Sequence, residues 1–288
     1  MLTSPTIPTP NRRLLAHVLI ASVLAALSTS ATAEGKQPLW EAGLGFGGAI
    51  YPHYPGSAEY RTLALPIPYW VYRGEYLELD RDGLRGLLYR SERAELDFSF
   101  DATLPVNSDS NLRAGMAKLN PLIEFGPSLN LMLWRSTHYD RSVQIRLPVR
   151  GAVSVASGLQ TASQGWRLAP DLYLEDRQAG RSGQWHRTLA LGPVFSDRQY
   201  HNYFYRVADQ DVLPERPAFD AGSGYSGFST SFATARRFQQ VWVGLYVRVE
   251  DFSGAVFRNS PLVERRHGVL GGLGFSWILA ESRRSAPY

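Results

Sequence analysis

Large apolar residues recur at every second position along much of this chain. Trp40, Ala42, Leu44, Phe46, Gly48 and Ile50 alternate with Glu41, Gly43, Gly45, Gly47 and Ala49. Leu63, Leu65, Ile67, Tyr69 and Val71 form a second apolar row. Leu96, Phe98, Phe100, Ala102 and Leu104 alternate with Glu95, Asp97, Ser99, Asp101 and Thr103. The same rhythm returns from Val143 to Val149, from Val241 to Val249 and from Leu273 to Leu279. Successive side chains of a strand point to opposite faces, so a period of two marks a strand with one apolar face. Weaker candidates lie near 76–90, 122–135, 165–175, 186–196 and 225–238. The expected fold class is all-β.

The N-terminus reads as an export signal. Arg12 and Arg13 precede the apolar stretch Leu14–Leu27, and Ala31-Thr32-Ala33 offers small residues before Glu34. Positive charge, a short apolar run and a small-x-small site are the parts of a secretory signal peptide. Cleavage between Ala33 and Glu34 divides the chain into a signal peptide, 1–33, and a mature β domain, 34–288.

Two arrangements produce strands of this kind. In a soluble β-sandwich the apolar rows meet inside and the polar rows face water. In a membrane barrel the apolar rows face lipid, and the other rows line a polar lumen. Here the second rows carry glycine, serine and charges of both signs, and the chain is exported, which fits the barrel better. Glu95, Asp97, Asp101, Arg146, Arg150, Arg167, Arg248 and Glu250 are the expected lumen charge network. Trp40, Tyr69 and Trp277 are expected in an aromatic girdle at one membrane interface. Only helices and closed barrels satisfy every backbone group in lipid, so a membrane form must close. Eleven periodic segments are visible; adding Tyr200–Val207 gives twelve strands, and ten is the alternative. Twelve strands make 51–60, 209–224 and 253–264 outward loops and 105–121 a connection at the opposite end.

Composition excludes several functions. There is no cysteine, so there is no disulfide framework, thiolate metal site or Cys nucleophile. Net charge is +4, and all but Lys36 and Lys118 of the 30 basic residues are arginine, without a Lys/Arg run of nucleic-acid type. Arginine forks suit carboxylates in a confined space or anionic lipid phosphates. Gly43-x-Gly45-x-x-Gly48 matches a dinucleotide fingerprint but sits inside a strand, and reads as a row of small residues. Asp80-x-Asp82-Gly83 lacks the later ligands of a calcium loop and reads as a bend or bulge. The six histidines show no zinc spacing, and G-x-S-x-G is absent. No catalytic, cofactor-binding or metal-binding residue is assigned.

A set of short motifs completes the reading. Pro52-x-Tyr54-x-Gly56-Ser57-x-x-Tyr60 leads to Leu65-Pro66-x-Pro68; Leu104-Pro105-Val106-Asn107-Ser108-Asp109 leads to Arg113-x-Gly115-Met116. Tyr203-Phe204-Tyr205-x-Val207, Arg216-Pro217-Ala218-Phe219-Asp220-Ala221, Gly224-Tyr225-x-Gly227 and Ser260-Pro261-Leu262-Val263 follow in order. Together these resemble the MipA/OmpV family of outer-membrane proteins over nearly the whole mature chain. The resemblance implies residence in the outer membrane, against lipid and lipopolysaccharide. It also implies a scaffold role between a murein lytic transglycosylase and a penicillin-binding protein. It carries no catalytic residues. A narrow pore or an adhesin-like surface barrel is the alternative, and a lipid-modifying hydrolase a weaker one.

Overall fold

The computed structural model describes residues 38–74, 77–80, 83–103, 112–138, 140–180 and 183–286. The expected signal peptide and its cleavage point, Ala33 and Glu34, lie outside the described residues. Thirteen strands form one antiparallel sheet. They are β1 (Trp40–Pro52), β2 (Tyr60–Arg73), β3 (Leu77–Asp80), β4 (Gly83–Arg90), β5 (Ala94–Thr103), β6 (Leu122–Arg135) and β7 (Arg141–Val155). Then come β8 (Thr161–Leu168), β9 (Asp171–Gly180), β10 (Gly183–Ser196), β11 (Gly224–Phe238), β12 (Val241–Asp251) and β13 (His267–Glu281). Chain neighbours pair throughout except β8 and β9, which each pair with β7 and β10; β13 pairs with β1, and β10 with β11, so the sheet returns on itself. Helix α1 (Arg198–Tyr205) interrupts the run of strands between β10 and β11.

Thirteen segments make twelve positions in the wall. β8 pairs with the upper half of β7 and β9 with its lower half, so the two are one strand broken at Ala169–Pro170. Pro170 has no N–H to continue a ladder. The break sits close against β10, where a side chain on Gly192 would collide with the Pro170 carbonyl.

The count of twelve is therefore reached with different elements. Tyr200–Val207 is not a strand: Asp197 caps a helix there, its carboxylate accepting from the Tyr200 N–H at 2.9 Å. Segment 76–90 is not one strand but the hairpin β3–β4, with Asp80 opposite Gly83. The extra reversal moves the β5–β6 connection to the other end. Met116 and Leu119 from that connection pack with Tyr54, Phe204 and Leu262, so it lies with the long loops and not opposite them. Short turns and both described chain ends share the remaining end.

The apolar rows point outward in most strands. Leu44, Phe46 and Ile50 of β1 stand beside Trp277, Phe275 and Gly271 of β13, and Leu273, Leu279 and Trp277 are all exposed. Strand β2 is the exception. Its register sets Tyr69 opposite Gly43 and Val71 opposite the buried Glu41, so Leu63, Leu65, Ile67, Tyr69 and Val71 face the lumen. The outer row of β2 is Thr62, Ala64, Pro66, Pro68 and Trp70.

Candidate functional site

The loop end is closed by a core of its own. Tyr205 of α1 stacks on Phe257 with ring centres 3.8 Å apart and 12° between planes. Tyr54, Phe204, Leu262 and Ala255 pack around this pair with almost no exposure. Buried polar groups tie the loops together, as burial without partners is costly. The Tyr54 hydroxyl donates to the Leu262 carbonyl at 2.8 Å, and the Tyr205 hydroxyl to the Pro55 carbonyl at 2.9 Å. Arg113 donates to the Phe204 carbonyl at 2.6 Å, and Arg216 to the Leu112 and Ala114 carbonyls at 2.6 and 2.9 Å. Gly56, at φ +90, lets its carbonyl accept from both Glu264 and Arg265 at 2.9 Å.

Within this core a histidine meets a serine. His201 Nδ1 donates to the Gly222 carbonyl at 2.7 Å, which leaves Nε2 to accept from Ser226 Oγ at 2.8 Å. Ser226 Oγ is 3.0 Å from Ser196 Oγ. A fixed tautomer beside a hydroxyl is the beginning of a hydrolytic pair. Here, however, all three side chains are buried, with the His201 ring against Tyr200 and Phe257. Burial holds the His201 pKa below its ordinary value. The contact fastens α1 to the wall.

The lumen holds paired charges. Asp101 of β5 faces Arg150 at 3.6 Å, Arg167 at 3.7 Å and Arg248 at 3.9 Å. Glu124 of β6 holds Arg167 at 3.3 Å and accepts from the Tyr200 hydroxyl at 2.7 Å, so the network reaches α1. Arg146 grips Asp171 with two bonds of 2.8 and 2.9 Å and lies 3.8 Å over the Tyr173 ring. Asp97 accepts from Asn130 at 2.9 Å, and Glu250 pairs in register with Ser229 on the lumen face. Glu95 is farther out and pairs with Arg90 at 2.9 Å. Asp101, Arg150, Arg167 and Arg248 are thus brought together; Arg146, Asp97 and Glu95 belong to separate contacts. The partners Glu124 and Asp171 were not expected. Glu124 sits in an otherwise apolar stretch, and Asp171 follows a proline that breaks the rhythm.

The turn end is closed by charge. Glu41 is 0% exposed and lies 2.8 Å from both Arg73 and Arg237. The Tyr69 hydroxyl donates to the same carboxylate at 3.0 Å, and Arg237 also reaches Glu281 at 2.9 Å. Tyr69, Val71 and Ile278 pack with Trp242 beside it. The expected girdle therefore loses a member. Tyr69 is buried inside because β2 presents its other row to the outside; Trp70, 64% exposed, stands on the outer face. Trp40 and Trp277 are both exposed outside. Glu41, Arg73 and Arg237 were missed because each lies at a strand end, where periodicity carries least information.

An antiparallel sheet that closes on itself, with an apolar belt outside and paired charges inside, defines the class of barrels that cross outer membranes on strands. A family model described as MltA-interacting protein MipA matches residues 44–279, and the chain belongs to that family. No curated protein matches the chain. Among solved structures, one described as a bacterial polysaccharide outer membrane secretin aligns with a TM-score of 0.38 at 9% identity, covering 83% of this chain and 99% of that one. Another, described under asymmetric conductivity of engineered proteins, aligns with a TM-score of 0.14 at 10% identity, covering 82% and 98%. Neither likeness reaches the level that implies a shared fold.

Proposed function

We propose that this chain is a non-enzymatic, non-conducting barrel that holds murein-processing enzymes at the inner face of the outer membrane. The observation that carries the reading is the side-chain packing at both ends of the barrel among the described residues: the Tyr205–Phe257 core above and the Glu41 cluster with Trp242 below. On this reading the packed side chains at each end block conduction, and the working surfaces are the two ends. Bacterial barrels keep short turns on the periplasmic side, which assigns the turn end, with the exposed Arg283 and Arg284, to the periplasm. A murein lytic transglycosylase, the partner in the family's name, and a penicillin-binding protein are the partners proposed for that end. Lipid and lipopolysaccharide surround the outer belt. The proposed location is the outer membrane, after removal of residues 1–33.

The test is crosslinking in intact envelopes followed by purification of the full chain. Recovery of a lytic transglycosylase is the expected result; recovery of assembly machinery alone would remove the scaffold role. The same material in a planar bilayer is expected to give no discrete conductance steps. Such steps would favour the narrow-pore alternative instead.

A further inference from the structure

A cationic cluster stands on the outer wall near the turn end, on β10 and β11. His186 meets Glu175 and Arg237 reaches the buried Glu41, so both point inward. Alternation then sends Trp185, Arg187, Arg236 and Phe238 outward. The register sets Trp185 beside Arg236, with Arg187 two residues farther from the turn. Both guanidiniums lie 5.0 Å over the Trp185 ring, and that of Arg236 is also 4.4 Å over Phe238. Such contacts hold a guanidinium in place, but the rings carry no net charge to offset it. Carboxylates are scarce around the pair. Asp176 lies 3.6 Å from Arg187 and also serves Arg141 at 3.4 Å. Asp140, beside Arg141, is bonded to Ser136 at the next turn. Among the described residues the Arg236 guanidinium has no ion pair, and its Nε is buried without an acceptor. Its cross-strand neighbours are Trp185 and Val243. The sequence from Arg177 to Gln184 and the turn Gln239–Gln240 hold no acid. Arg187 and Arg236 therefore face one carboxylate, which a third arginine shares.

The cluster sits where a lipid headgroup would. Trp277 of β13 is opposite Val241, and Val241 is opposite Phe238, so the cluster shares the band of the exposed Trp277. Aromatic side chains in such a band mark the headgroup level. Toward the middle of the wall the surface turns apolar. Leu189 stands between Leu174 and Phe232, and Leu245 lies beside Thr234. Phe232 and Leu245 are exposed. The outer wall thus offers guanidinium forks at headgroup depth and, next to them, a greasy surface at acyl-chain depth.

We propose that Arg187 and Arg236 form a binding site for the phosphate of an anionic phospholipid, whose acyl chains lie along Leu189, Phe232 and Leu245. The phosphodiester supplies the negative charge and the acceptor oxygens that Arg236 lacks within the protein. Guanidinium forks match phosphate oxygens in geometry, and charge-assisted bonds of this kind are the strong ones. Trp185 is the positioning residue that holds both forks on one patch. With the turn end toward the periplasm, as proposed above, the lipid belongs to the inner leaflet of the outer membrane. The site lies on the lipid-facing wall and is independent of the scaffold role.

The experiment is native mass spectrometry of the folded full chain released from nanodiscs. The nanodiscs hold equal amounts of palmitoyl-oleoyl phosphatidylglycerol and phosphatidylethanolamine, which share the phosphate and the acyl chains and differ in net charge. Phosphatidylglycerol is expected to remain bound in at least about fivefold excess over phosphatidylethanolamine, because basic groups near the membrane surface favour anionic lipid. Arg187→Gln combined with Arg236→Gln is expected to bring the two lipids to parity. Arg258→Gln combined with Arg266→Gln removes the same charge from exposed positions in the 253–266 connection at the loop end, and is expected to keep the parent ratio. Trp185→Leu keeps both arginines but removes the ring that positions them, and is expected to give an intermediate ratio. Heat-modifiable gel mobility verifies folding; if the turn-end double variant does not fold, Trp185→Leu decides alone. Parity of the two lipids on the parent chain, a folded turn-end variant that keeps the parent ratio, or a loop-end variant that loses it would overturn the proposal.

Discussion

At the loop end Tyr205 lies flat on Phe257, and Leu262, Ala255 and Phe204 close around them; at the turn end a buried carboxylate, Glu41, is held between Arg73 and Arg237. The difference follows from how much chain each end has available. The connections from Asp197 to Ser223 and from Phe252 to Arg266 supply enough residues for a small hydrophobic core, including a helix. The turns opposite are a few residues long, as at Gln239–Gln240 between β11 and β12. Closure there must come from side chains already on the strand ends. Arginine is long enough to reach across, and its fork can share one carboxylate with a neighbour.

Glu41→Ala tests the comparison most severely. It takes away the buried carboxylate that Arg73 and Arg237 share and leaves Arg237 only Glu281 as an acidic partner among the described residues, and breaking a buried ion pair costs about 3–5 kcal/mol. The expected result is a large fall in the temperature at which the folded form disappears from unheated gels, with Glu41→Gln intermediate. Leu262→Ala at the other end removes a fully buried side chain and is expected to cost roughly 2–4 kcal/mol. A smaller loss for Glu41→Ala than for Leu262→Ala would mean that charge does not close the turn end.

The same contrast explains what the sequence made legible. Outer rows such as Leu44–Phe46 and Leu273–Phe275–Trp277 follow strict alternation against glycine, so strand and face could both be read. β2 breaks the rule because its inner row, Leu63–Leu65–Ile67, is greasier than its outer row of Thr62, Ala64, Pro66 and Pro68. Hydrophobicity then names the wrong face by one residue, which moves Tyr69 from the girdle to the interior. The register with β1 was the missing information. α1 hides in an aromatic run that also suits a strand; Asp197 three residues before Tyr200 was the signal for a helix start. Asp82-Gly83 was likewise a hairpin signal inside segment 76–90. Lumen partners such as Asp101 and Arg248 come from distant strands, and only closure brings them together.

A smaller effect separates the two ends by pH. His201 is buried in the loop-end core, and burial holds its pKa below the unfolded value near 6.5. In the window between the folded and unfolded values the unfolded segment binds a proton that the folded one refuses. Stability of the core is therefore full above that unfolded value and falls as pH drops through it. Limited proteolysis of the 206–223 connection is expected to be faster at pH 5.5 than at pH 7.5. His201→Asn should remove the difference. Equal cleavage at both pH values would separate the loop-end core from this histidine.

The smallest effect is expected at Asp220, and its smallness is informative. Its carboxylate accepts two bonds from Arg198 at 3.0 and 2.7 Å and one from Asn202 at 2.7 Å, and these donors lower its pKa to about 2. Folding thus favours the ionised form, and the contribution is present above the ordinary aspartate value and lost as pH falls toward 2. Yet Arg198 and Asp220 both lie in water, where ion pairs are screened and weak. Arg198→Ala is expected to leave the unfolding temperature unchanged within error at 0.15 M salt, although its bonds are as short as those of Glu41. If Arg198→Ala instead matched Glu41→Ala, geometry rather than burial would set the value of these carboxylate–arginine clusters, and the turn-end argument would need a different basis.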